Sequence, residues 1–166
     1  MSVHHLRGRE LAHACALGAA AGLAGVAVMT TGEKIEQALT KRPDSFVPAR
    51  ALLTLLGRHP GDDDQPPVWN HVMHWSTGAL LGALRGVWSV TGVRGPPANI
   101  WHTATRLAFD QTVENVTGAG APPRSWPVQE QVIDVLHKAV YSVVTGIIAD
   151  RWIPPVLESH RGRTSH

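Results

Sequence analysis

The sequence predicts an all-α protein: an up-down-up-down bundle of four main helices embedded in a membrane, with a short extra amphipathic helix between the first and second. Three observations carry this reading. No segment alternates apolar and polar residues with period two over a useful length, so there is no basis for a sheet. Charged residues are 17% of the chain, against about 25% in a typical soluble domain. Small residues abound, with 16 Gly, and several recur every four positions, the spacing that lets helices approach closely in lipid. The mean hydropathy of -0.05 is low for a simple lipid-facing bundle. It fits if the loops are polar and the helices keep polar side chains on their inner faces.

The first helix is expected over residues 10–39. Its centre, residues 12–29, carries His13 as its one sizeable polar residue, and about 18 residues is the lower edge of a spanning length. Gly18 and Gly22 are four apart, and Ala21 and Gly25 repeat that spacing. The helix continues past the apolar part through Glu33 and Glu36 towards Pro43. His4, His5, Arg7 and Arg9 ahead of an Ala- and Gly-rich run have the outline of a signal peptide, but the run ends in Thr30-Thr31-Gly32-Glu33, a poor cleavage site.

The connection over residues 41–67 holds the short amphipathic helix, residues 48–56, with Pro48 at its start and Gly57 after its end. Asp62, Asp63 and Asp64 lack calcium-loop spacing and read as a solvated linker. The second main helix is expected over 68–90, where Gly78, Gly82 and Gly86 form another close-packing seam. The turn Thr91-Gly92-Val93-Arg94-Gly95-Pro96-Pro97 ends it. The third, 98–116, is the most polar and stops at Thr117-Gly118-Ala119-Gly120-Ala121-Pro122-Pro123. The fourth, 128–152, has an apolar stretch of only about 11 residues, short for an independent span. Residues 1–157 form one helical domain, and the polar tail 158–166 is expected to be disordered.

The net charge of +2 and the scattered basic residues leave no nucleic-acid footprint. A single cysteine, Cys15, excludes a disulfide framework within the chain. The Lys and Arg residues balance between the two sides of a four-span arrangement, so the positive-inside rule gives no orientation. The six Trp lie mostly near predicted helix ends, where membrane-interface aromatics sit.

Short connections favour antiparallel neighbours. That order sets the end of the first helix beside the start of the second, the end of the third and the start of the fourth. Glu33 and Glu36, Asn70, His71 and His74, Asp110, Glu114 and Asn115, and Glu130, Asp134 and His137 therefore gather at one end. The opposite end offers mainly His13, Arg85 and His102. Residues three or four apart share a helix face, which makes one seam of His102, Arg106, Asp110 and Glu114 and another of Glu130, Asp134, His137 and Tyr141. Arg106 and Asp110 also read as a simple i,i+4 salt bridge.

Asp134-x-x-His137 matches an element of carboxylate-bridged dimetal bundles, but His71-x-x-His74 supplies no carboxylate. A single divalent metal held by His71, His74, His137 and Glu114 is one expectation. Acid–base chemistry by Glu33, Asp110, Glu114, Asp134 and His137 on an apolar, membrane-soluble small molecule is another. A hydrogen-bond network that only holds the bundle, a proton or solute path in a membrane subunit, and a soluble or peripheral bundle remain alternatives. The expected partners are membrane lipid, an apolar substrate and, through the Gly seams, a second copy of the chain.

Four stretches carry a resemblance: Thr31-Gly-Glu-Lys-Ile-Glu-Gln37, Asn70-His-Val-Met-His-Trp75, Asp110-Gln-Thr-Val-Glu-Asn115 with Gly118-Ala-Gly-Ala-Pro-Pro123, and Asp134-Val-Leu-His-Lys-Ala-Val-Tyr141. Over most of residues 29–152 the chain resembles a group of small, uncharacterised, multi-pass membrane proteins. The resemblance implies no activity and transfers no site residue.

Overall fold

A computed structural model describes residues 3–159. The described chain is all-helical, with no strand. It has five α-helices: α1 (Val3–Thr40), α2 (Val47–Leu55), α3 (Pro67–Val90), α4 (Gly95–Val116) and α5 (Val128–Trp152), with a 3-10 turn at Pro123–Ser125. The end of the tail, residues 160–166, lies outside the described residues.

The helix boundaries follow local chemistry. α1 begins well before the expected residue 10, because residues 3–9 hold no proline and Gly8 alone does not stop a helix. It ends where Lys41 takes a left-handed φ of 62°. The α2 N-terminus has no capping side chain of its own. Asn70 of α3 serves instead: its Oδ1 accepts from Ala49 N at 3.2 Å and its Nδ2 donates to Ser45 O at 3.0 Å. Proline stands in the first turn of α2, α3 and α4, where its missing N–H costs nothing. The α3–α4 turn needs Gly92 and Gly95, whose φ values of 94° and 74° are left-handed.

α1 and α3 run antiparallel in backbone contact. A Cβ on Gly18 would stand 2.7 Å from Gly86 Cα, and one on Gly22 would stand 2.8 Å from Gly82 Cα. The two glycine seams thus face each other within one chain, so neither is left over as an argument for a second copy. α1 also packs antiparallel on α5, where Gly25 meets Tyr141 and Thr145. α4 lies along α5 and touches α3 at few points, among them the His102 imidazole Nε2 at 3.0 Å from Leu81 O.

The distribution of polarity is inverted relative to a water-soluble bundle. Among the described residues the largest fully buried side chains are Arg85, Tyr141 and His102, and Ser89, Ser142 and Thr145 are buried with them. The apolar core consists largely of alanines with Val26, Met29, Leu81 and Val90. Large apolar side chains point outward instead: Leu80 is 59% exposed, Ile100 69%, Leu136 58% and Ile147 54%. Among the described residues two helices, Arg7–Thr40 and Val128–Trp152, are long and apolar enough to cross a membrane, with mean hydropathies of 1.8 and 1.6 over their most apolar stretches.

Candidate functional site

A cavity of about 560 Å³ opens where α1 ends, α3 begins, α4 ends and α5 begins. The start of α2, through Phe46, Val47 and Pro48, covers one side; the α4–α5 connection, through Gly120, Ala121 and Trp126, covers another. Trp126 is held there by its indole Nε1, which donates to Ala121 O at 2.8 Å. Met29, Met73, Val113 and Ile133 supply apolar wall.

All seven candidate residues from the sequence line this cavity: Glu33, His71, His74, Asp110, Glu114, Asp134 and His137. They do not lie equally deep. His71 is exposed at the rim, while the other six are partly buried. His74 shares a hydrogen bond with Thr30, Nε2 to Oγ1 at 3.0 Å, which ties the start of α3 to α1.

The deep end is an ion-pair chain. Arg106 Nε donates to Asp110 Oδ2 at 2.9 Å, Lys138 Nζ lies 3.5 Å from the same oxygen, and Lys138 also pairs with Asp134. Arg106 lies over the Tyr141 ring, 5.0 Å from its centroid. Nearer the mouth, Arg42 Nη2 pairs with Glu36 at 2.7 Å and its Nη1 lies 3.7 Å from Glu130. Lys34 pairs with Asp44 at 2.5 Å. In the α1–α2 connection this ammonium holds the Asp44 carboxyl below its ordinary value of 3.8. Among the described residues, Glu33 and Glu114 make no ion pair.

The metal expectation finds no support among the described residues. Among the described residues no three His, Cys, Asp or Glu side chains form a group that could hold a metal ion. His71, His74, His137 and Glu114 share a cavity without converging on one point. His71 is exposed at the rim and His74 is engaged by Thr30 of α1, while Arg106 and Lys138 pair with Asp110 and Asp134, the other carboxylates of the layer.

Lys138 is the residue that sequence reasoning passed over. Its signal was present, since Asp134 and Lys138 are four apart on one helix, but its reach to Asp110 on α4 needed the packing. Asp150 was missed as well. At the opposite end of the molecule it accepts from Arg85 Nη2 at 2.8 Å, Ser89 Oγ at 2.8 Å and Gly95 N at 2.9 Å. That end is thus richer in polar groups than His13, Arg85 and His102 alone. Comparisons of the chain with protein-family models, curated proteins and solved structures find no match.

Proposed function

We propose that the protein is a multi-pass membrane bundle, with α1, α3, α4 and α5 running up-down-up-down, and that its cavity binds a small, largely apolar molecule for acid–base chemistry. The inverted polarity supports the membrane placement. A helix surface bearing Ile100, Leu136 and Ile147 over an interior bearing Arg85 and His102 is stable in lipid and costly in water.

One observation carries the functional reading: candidate acid, base and histidine side chains from four helices line a single cavity of about 560 Å³, within the size range of small-molecule sites. Apolar walls accept the body of a ligand, and the polar groups orient it. Asp110 and Asp134 are neutralised by Arg106 and Lys138 and hold the deep end in shape. Glu114 and Glu33 are left as the carboxyl groups able to exchange a proton, with His74 and His137 beside them on the lining.

The test is a small-molecule inventory of the full chain purified in mild detergent. Organic extraction and mass spectrometry should recover a molecule from the wild type that is absent from Val113→Trp, a cavity-filling variant. The melting temperature shows whether that variant is folded. A wild type that carries nothing and binds nothing from a panel of apolar compounds would overturn the reading.

A further inference from the structure

The charges on the cavity lining do not balance. Four cations face six carboxylates. Each cation already has a carboxylate partner: Lys34 has Asp44, Arg42 has Glu36 at 2.7 Å with Glu130 at 3.7 Å, Arg106 has Asp110 and Lys138 has Asp134. Glu33 on α1 and Glu114 on α4 are the remainder. Among the described residues, none of the lining histidines, His71, His74 and His137, forms an ion pair with either of them.

Low-dielectric walls focus the field of an unpaired carboxylate, and because burial opposes a carboxyl's charge, a cation beside these groups would hold them ionised. An anionic ligand would be repelled. A neutral ligand would leave the imbalance in place, while a cation would cancel part of it. The walls also suit a cation, because Phe46 and Trp126 line the cavity and aromatic faces attract positive charge, Trp most strongly.

We infer that the ligand of this cavity is a lipophilic organic cation: one positive charge, as in an amine or a quaternary onium group, on an apolar body. This rests on the reading of the cavity as a small-molecule site and adds the sign of the ligand's charge.

Three probes of similar shape and different charge separate the possibilities: tetraphenylphosphonium, neutral triphenylphosphine oxide and tetraphenylborate. Equilibrium dialysis uses the full chain in a neutral maltoside detergent at pH 7.5. The cation should bind at least tenfold more tightly than the neutral probe, and the borate least. Glu33→Gln and Glu114→Gln should each lower the ratio of cationic to neutral affinity by about tenfold, equivalent to about 1.4 kcal/mol. The wild-type comparison stands even if one variant fails to fold. Equal binding of the cationic and neutral probes, or preference for the borate, would overturn the inference while leaving the cavity a binding site. Binding of none of the three would count against both.

Discussion

Asp150 on α5 neutralises Arg85 on α3, with Arg85 Nη2 2.8 Å from Asp150 Oδ2 and the arginine side chain completely buried. The same carboxylate receives Ser89 Oγ and Gly95 N, and Arg94 donates to the carbonyls of Asp150 and Ile153. One aspartate thus ties the α3–α4 turn to the end of α5. The cavity lies at the opposite end of the molecule, so this network joins α3, α4 and α5 at the end remote from it.

Removing the charge of Asp150 leaves a buried guanidinium without a counter-ion. Breaking one partner of a buried pair costs about 3–5 kcal/mol, while replacing both by apolar groups recovers much of that. Asp150→Asn should therefore lower thermal stability in detergent sharply, and Arg85→Met/Asp150→Leu should melt nearer the wild type. A double variant no more stable than Asp150→Asn would show that the hydrogen bonds to Ser89 and Gly95, and not the charge pair, hold this end.

The glycines make a paired prediction. A Cβ on Gly82 would stand 2.6 Å from Gly22 Cα, so even alanine there forces the α1 and α3 backbones apart. Gly32, also within a helix, has nothing within 4 Å of such a Cβ. Gly32→Ala should be neutral or stabilising, up to about 1 kcal/mol from helix propensity, whereas Gly82→Ala should destabilise. Equal melting temperatures for the two variants would mean that the α1–α3 contact is looser than described.

Much of this was legible in the sequence, and the limits were physical. Pro and Gly punctuation located the helix ends to within a few residues, except at the start of α1, where Gly8 does not interrupt the helix. Helix order placed Glu33, His74, Glu114 and His137 at one level, because short connections leave few alternatives. Spacing along one helix, however, says only which face a side chain shares. It does not say which charge on another helix reaches it, and so Lys138 bridging Asp134 and Asp110 stayed hidden. Asp150 sits beside Arg151 in the last turn of α5, where a charge reads as a helix-end residue at the membrane surface. The glycine seams were visible as seams, but that each was the other's partner depended on the antiparallel register of α1 and α3.

The Lys34–Asp44 pair gives a prediction about pH. The folded-state pKa of Asp44 is depressed, mainly by its hydrogen bond with Lys34. Its contribution to stability is therefore present above the unfolded value and is lost as pH falls through the folded one. The side chains are 56% and 49% exposed, and solvent screening holds that contribution below about 1 kcal/mol. A site-resolved titration reads the effect better than a melt. The Asp44 carboxyl should titrate below 3.8 and move upward in Lys34→Met. An unchanged midpoint in that variant would remove Lys34 as the cause.

The final prediction concerns the outer face of α5. Val143 is 42% exposed and Ile147 54%, and on a spanning helix both face lipid. Asp63 lies exposed in the connection between α2 and α3. Cys15 is the chain's single cysteine, so a Cys15→Ser background frees the thiol channel. In membranes opened to reagent on both sides, a charged, membrane-impermeant maleimide should label Asp63→Cys rapidly. Val143→Cys and Ile147→Cys should react slowly there, because the reagent does not enter hydrocarbon and a thiol surrounded by lipid does not ionise readily. Carbonate washing at high pH should leave all three variants in the membrane pellet. Rapid labelling of Val143→Cys, or release of the protein by carbonate, would place α5 in water and return the exposed apolar face to some other partner.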